Sequence, residues 1–168
     1  MSLRRWRESA LAPLIIRQST NPTSWRTSMR TADSPRADEL IVVDASAAVS
    51  LIIDPSQIGD AIATRLRHAT LLAPAVLPFE VANVLRRRRN AGLLSDAEAV
   101  LAHSAFLELP IQLWPWEVLA ERAWHLGSNL SSYDAAYVAL AEQTQATLLT
   151  RDRRIAGAPG PLCAIEVL

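Results

Sequence analysis

Four carboxylates stand where apolar runs give way to helical ones. Asp44 follows Leu40-Ile41-Val42-Val43, and Glu80 lies in Pro78-Phe79-Glu80. Asp134 lies in Ser131-Ser132-Tyr133-Asp134, and Asp152 follows Leu148-Leu149-Thr150-Arg151. Four such groups gathered in one place repel, and their pKa values rise. A divalent cation removes that problem. Oxygen-only donors favour hard ions, so Mg²⁺ or Mn²⁺ suits them better than zinc. A hydrated metal held this way is equipped to hydrolyse a phosphodiester.

Each acid also has a structural reading. Asp134 can complete a capping box opened by Ser131. Glu80 can favour the positive end of a helix, and Asp152 can cap a short final turn. Asp44 is the hardest to explain in this way. It ends a buried apolar strand, before the small residues Ala45-Ser46-Ala47-Ala48, and needs a partner to offset desolvation.

The partner is not lysine. All 17 basic residues are arginine, balanced by 17 acids. The absence of lysine excludes a Walker A loop and Schiff-base chemistry, and fits a receiver-type phosphoacceptor domain poorly. The five glycines form no GxGxxG, which excludes a nicotinamide-type Rossmann fingerprint. One cysteine, Cys163, makes no internal disulfide, and with His68, His103 and His125 gives poor material for a structural zinc site. No apolar run reaches the roughly 18 residues of a membrane span. These features lead us to expect a cytoplasmic protein.

The charge is unevenly spread. Residues 1–37 hold seven arginines and two acids, a net of +5; residues 38–168 hold ten arginines and fifteen acids, a net of −5. The first segment is rich in Ser, Thr and Pro and lacks periodicity, so residues 1–37 are expected to be a basic, disordered extension. It can be read as a nucleic-acid-binding arm, as a targeting segment, or as the product of an early start ahead of Met29.

The elements that must position the acids follow from the pattern. Strands are expected at Leu40–Val43, Thr70–Ala73, Ile111–Trp114 and Thr147–Thr150, with a fifth, edge strand at Ala164–Val167. Between them the spacing predicts helices over 47–53 (capped by Ser46), 57–67, 76–90, 95–107, 116–127 and 131–144, then a turn over 151–156. Gly92 ends the helix over 76–90, and Ser95-Asp96-Ala97-Glu98 is a capping box. Alternating strands and helices predict an α/β fold with a parallel sheet covered on both faces. Ligands bind such sheets at the carboxyl ends of the strands. Asp44, Glu80 and Asp152 fall there directly, whereas the pattern alone leaves Asp134 less firmly placed.

Four pieces in this order resemble PIN-domain ribonucleases, and most closely VapC-type toxins. They are Ile41 to Ser46, Pro78 to Leu85, Leu130 to Ala141, and Leu148 to Arg154. The resemblance covers about three-quarters of the chain and omits the basic extension. It implies a three-layer sandwich, a central parallel sheet of four to five strands between helices, over residues 38–168. It implies an acidic quartet of Asp44, Glu80, Asp134 and Asp152 binding Mg²⁺ or Mn²⁺ and cleaving RNA, with Ser46 and Thr150 as supporting hydroxyls. A cognate antitoxin that blocks the site and a homodimer are implied too.

Among the remaining residues, Asn83, one turn after Glu80, can orient that carboxylate or make a packing hydrogen bond. Arg87 is seven residues after Glu80 and, with Arg151 and Arg153, is a candidate for RNA phosphate. Trp114, Trp116 and Trp124 read as core or dimer-interface residues in preference to stacking platforms, and Tyr137 reads as core. Two rival functions fit the residues less well. A phosphatase of the haloacid dehalogenase type needs a second Asp where Ser46 stands, and a lysine. An inactive PIN-like RNA-binding or scaffold module is opposed by the intact quartet.

Overall fold

A computed structural model describes residues 39–168, so the basic extension expected over residues 1–37 lies outside the described residues. The strands are β1 (Leu40–Val43), β2 (Thr70–Pro74), β3 (Ile111–Trp114), β4 (Thr147–Thr150) and β5 (Ile165–Val167). The α-helices are α1 (Ala45–Ile53), α2 (Gln57–Leu66), α3 (Leu77–Asn90), α4 (Asp96–Leu107), α5 (Ala120–Leu126), α6 (Ser132–Thr144) and α7 (Arg153–Gly157). The helix expected over 116–127 is split. A 3₁₀ turn at Trp116–Val118 follows Pro115, and α5 begins only at Ala120.

All five strands are parallel, in the order β3-β2-β1-β4-β5. The central strands β1, β2 and β4 are almost wholly buried, as continuous apolar runs in a parallel sheet should be. Both β3 and β5 are edges; β3 leaves Gln112 and Leu113 exposed.

The chain moves outward from β1 through β2 to β3, then crosses back to β4 and on to β5. Parallel crossovers have one hand, so the two directions put their helices on opposite faces. On one face α1 packs against α2, α3 and α4; on the other, α5 packs against α6, which covers β1, β2 and β4. Helix α1 is buried at every position but Ser46, and α6 buries the unbroken run Ala135–Ala141. Such helices are apolar all round because they lie inside the molecule.

The expected stop at Gly92 is present. Its φ is 72°, and Leu93 N–H returns to the carbonyl of Arg88. Helix α6 ends in the same way without glycine: Gln145 adopts φ 54° and Ala146 N–H reaches the Ala141 carbonyl. The capping box at Ser95 and Glu98 forms. Ser46 does not cap α1 as expected. Asp44 holds the cap position with no side-chain cap bond, and Ser46 turns to the carboxylate instead.

Candidate active site

The order of the strands reverses between β1 and β4. At such a point the connections leave in opposite directions and open a crevice at the carboxyl ends. Asp44 follows β1 and Asp152 closely follows β4, so both stand at this crevice. Glu80 is in the first turn of α3, which leaves the carboxyl end of β2. Helix α6 leads directly into the amino end of β4, so its own start lies at the carboxyl edge. This brings Asp134, in the first turn of α6, to the same edge.

Asp44 is buried, 6% exposed. Its Oδ2 accepts the Ser46 hydroxyl at 2.6 Å and the Thr150 hydroxyl at 2.7 Å. Both hydroxyls also accept a backbone N–H from the segment after β4. Ser46 Oγ takes Arg151 N–H at 2.9 Å, and Thr150 Oγ1 takes Asp152 N–H at 2.9 Å. The two residues therefore lock the carboxylate to the backbone that carries Asp152. Thr150 is fully buried and uses its hydroxyl as both donor and acceptor, a pairing that valine cannot reproduce.

Glu80 is held differently. The Tyr137 hydroxyl donates to its Oε2 at 2.6 Å. Partial burial pushes the Glu80 carboxyl above its ordinary pKa; the Tyr137 bond opposes this, and the charges of Asp44 and Asp134 reinforce it. Burial, together with the charge of Glu80, pushes the Tyr137 phenol up as well, so it stays a donor. Asp134 Oδ2 accepts the Ser131 hydroxyl at 2.7 Å, while Ser131 Oγ accepts Asp134 N–H at 3.1 Å. The capping role and a place at the crevice thus coexist in Asp134.

Asp152 has a different environment. It caps α7 through Arg154 N–H at 2.8 Å and pairs with the Arg154 guanidinium at 2.5 Å. Those hydrogen bonds hold its carboxyl below the ordinary range. Among the described residues no arginine lies within ion-pair distance of Asp44, Glu80 or Asp134.

The donor chemistry fits a hard divalent ion. Three mutually repelling carboxylates face the crevice, each with one oxygen on a hydroxyl and the other unengaged among the described residues. Among the described residues, however, no three His, Cys, Asp or Glu side chains stand together as a ready-made metal cluster. Binding an ion would have to draw these side chains inward.

The supporting residues divide. Ser46 and Thr150 meet at Asp44, whereas Asn83 is exposed and its side chain makes no hydrogen bond among the described residues. Arg87 and Arg153 are exposed. Arg151 donates to Ser50 Oγ at 2.7 Å and lies 3.6 Å from Asp54. Trp114 packs partly against the core, but Trp116 and Trp124 are 47% and 83% exposed in the single chain, which corrects the core alternative for both and leaves the dimer-interface one. Sequence reasoning missed Tyr137 and Arg154 as partners of Glu80 and Asp152. Tyr137 lies three residues after Asp134 on the same helix, hence on a similar face, and that spacing was the available signal.

A parallel sheet of this order, with these acids at its switch point, defines the class: the chain belongs to the PIN-domain family, whose model matches residues 41–160. The family's nucleases generally use divalent metal ions. More particularly, the chain is 40% identical over 129 residues to Ribonuclease VapC12 of Mycobacterium tuberculosis, covering 77% of this chain and 99% of that protein. It is 36% identical over 129 residues to VapC ribonuclease Mb0985 of Mycobacterium bovis, covering 77% of this chain and 98% of that protein. The crystal structure of PAE2754 from Pyrobaculum aerophilum superposes with a TM-score of 0.55 at 26% identity, over 77% of this chain and 84% of that one.

Proposed function

We propose that this chain is a metal-dependent endoribonuclease and the toxin of a type II toxin–antitoxin pair. The observation that supports the reading is that Asp44, Glu80 and Asp134, at the carboxyl edge of the sheet, have hydroxyl partners and, among the described residues, no arginine in pairing distance. The similarity to VapC ribonucleases supports RNA as the substrate. Asp44, Glu80, Asp134 and Asp152 would hold Mg²⁺ or Mn²⁺. When bound, the ion supplies charge neutralisation at the phosphoryl group and an acidified water.

The protein's own groups do the rest. Ser46 and Thr150 fix Asp44 through one oxygen and leave the other toward the crevice. Tyr137 does the same for Glu80, and Ser131 for Asp134. Glu80, with its raised pKa, is suited to take up a proton during hydrolysis. Release of Asp152 from Arg154 would add a fourth carboxylate and free a guanidinium for phosphate. Arg87, Arg151 and Arg153 are further candidates for that contact. The products would carry a 5′-phosphate and a 3′-hydroxyl.

A small cognate antitoxin would silence the enzyme by covering the crevice, and the active unit would be a homodimer in the cytoplasm. Among the described residues no helix is long and apolar enough to cross a membrane. Residues 1–37 would be an extension outside the nuclease domain.

A second reading, an inactive PIN-like RNA-binding or scaffold module, draws on the closed Asp152–Arg154 pair and on the lack of a ready-made cluster among the described residues. Incubating the full-length protein with labelled transfer, ribosomal and messenger RNA, with and without Mn²⁺, separates the two. Metal-dependent cleavage supports the nuclease; RNA binding without cleavage supports the module.

A further inference from the structure

Beside the carboxylates lies an apolar pocket of about 500 Å³. Its lining includes Pro74, Val76, Trp116, Ser131, Tyr133 and Ala136. It joins the candidate site directly, because Ser131 both lines it and donates to Asp134. Pro74 and Ala136 are buried, whereas Trp116 is 47% and Tyr133 58% exposed. A second pocket of about 430 Å³ shares Trp116 and Ser132 and adds Trp124, which is 83% exposed. Three aromatic residues, Tyr133, Trp116 and Trp124, therefore follow one another through two adjoining pockets that start at Ser131, the partner of Asp134.

We infer that these pockets bind successive unpaired nucleobases of the RNA next to the cleaved phosphate. The inference rests on the ribonuclease reading for the identity of the ligand. Exposed aromatic faces leading from a phosphodiester-cleaving centre suit bases, because every base offers a flat face to stack on. The polar groups of the first pocket are hydroxyls, backbone and the Trp116 indole N–H, with no charged side chain in its lining. It therefore holds a base mainly by stacking and reads its edge weakly. The expected selectivity is for unpaired over paired RNA, with modest base preference. Trp116 is the central element, since it belongs to both pockets.

The test is binding of short single-stranded RNA to the full-length protein in a chelator, where cleavage is suppressed, measured by fluorescence anisotropy. An intact oligonucleotide is compared with one of the same charge carrying abasic sites. Base removal should weaken wild-type binding on the order of tenfold. Trp116→Ala should lose a similar factor for the intact oligonucleotide and nothing for the abasic one, while Trp116→Phe retains most affinity. Trp116 is half exposed, so Trp116→Ala should stay folded with a cooperative melt, and Trp116→Phe controls for lost packing. If both proteins bind both oligonucleotides alike, the inference is overturned; that is also the result expected if a protein partner covers these aromatics. Cleavage with Mn²⁺, measured separately, distinguishes the failures. Base-dependent binding without hydrolysis overturns only the nuclease reading, and hydrolysis without base-dependent binding overturns only the stacking track.

Discussion

The acids at the two edges of the sheet have opposite partners. Toward the amino ends, Arg65 donates to Glu39 at 2.6 and 2.8 Å and to Glu166 of β5 at 2.7 Å. Near the end of α6, Glu142 accepts Arg122 at 2.6 and 3.0 Å and Leu162 N–H at 2.7 Å. Arg122 also reaches the Gly160 carbonyl, so this pair fastens the segment leading into β5. At the carboxyl edge Asp44, Glu80 and Asp134 have hydroxyls instead. A chain without lysine thus uses arginine to clamp acids at one edge and, Asp152 with its Arg154 partner apart, leaves charge uncompensated at the other. The first arrangement serves folding, and the second is what a metal site needs before its ion arrives.

That contrast is broken most severely at Asp44. Asp44→Asn should lower RNA cleavage by about 10³-fold or more, since the proposed metal site loses a carboxylate. Its melting temperature without metal should stay level or rise, because one member of a repelling set is neutralised. Cleavage kinetics and a thermal scan on the same preparation check both halves.

Thr150→Val comes next. The change removes a donor to Asp44 and an acceptor for Asp152 N–H inside a buried site. Cleavage should fall about 10–100-fold, as for groups that orient metal ligands, with a stability loss of about 1–2 kcal/mol. Kinetics at saturating Mn²⁺ and urea unfolding measure the two effects.

Glu142→Gln is the mirror image of Asp44→Asn. It breaks the Arg122 clamp and should cost about 1–2 kcal/mol by urea unfolding, with cleavage unchanged at 25 °C.

The pH dependence sharpens the same comparison by sign. Burial pushes the Glu142 carboxyl up, but its bonds from Arg122 and Leu162 outweigh this and leave it lowered. Its stabilisation is therefore full above the ordinary carboxylate value of 4.5 and is lost as pH falls through the lowered one. Glu80, raised first by burial, has the opposite sign in metal-free protein. It destabilises above its raised pKa, and the penalty is relieved as pH falls toward 4.5. Melting temperature against pH, without metal, should show Glu80→Gln gaining most at neutral pH and Glu142→Gln losing most there.

The smallest effect is expected from removing residues 1–37. Ribonuclease VapC12 is matched over 99% of its length by 129 residues of this chain. A chain starting at Asp38 should cleave at the full-length rate, checked by the same assay.

Much of the fold was legible in the sequence, because short β-branched runs bounded by Pro and polar residues announce buried parallel strands. The bounds of β1, β3 and β4 are those read from Leu40–Val43, Ile111–Trp114 and Thr147–Thr150. Local pattern does not report strand order. The position of Asp134 depends on β4 pairing parallel to β1, which puts the start of α6 at the carboxyl edge. Side-chain direction was less legible still. Ser46 has the composition of a cap and acts as a carboxylate clamp, while Arg154 looks like a phosphate contact and closes on Asp152. Trp116 and Trp124 have core composition but lie around the break between the 3₁₀ turn and α5, where continuous helical periodicity fails.

One measurement bears most directly on the uncompensated edge: Mn²⁺ binding by calorimetry alongside RNA cleavage, for the full-length protein and for Asp44→Asn. The account predicts that the wild type binds Mn²⁺, cleaves RNA only when the ion is present, and leaves 5′-phosphate ends. Asp44→Asn should lose both properties. Cleavage that survives chelation, or an Asp44→Asn protein that binds and cleaves like the wild type, would contradict it.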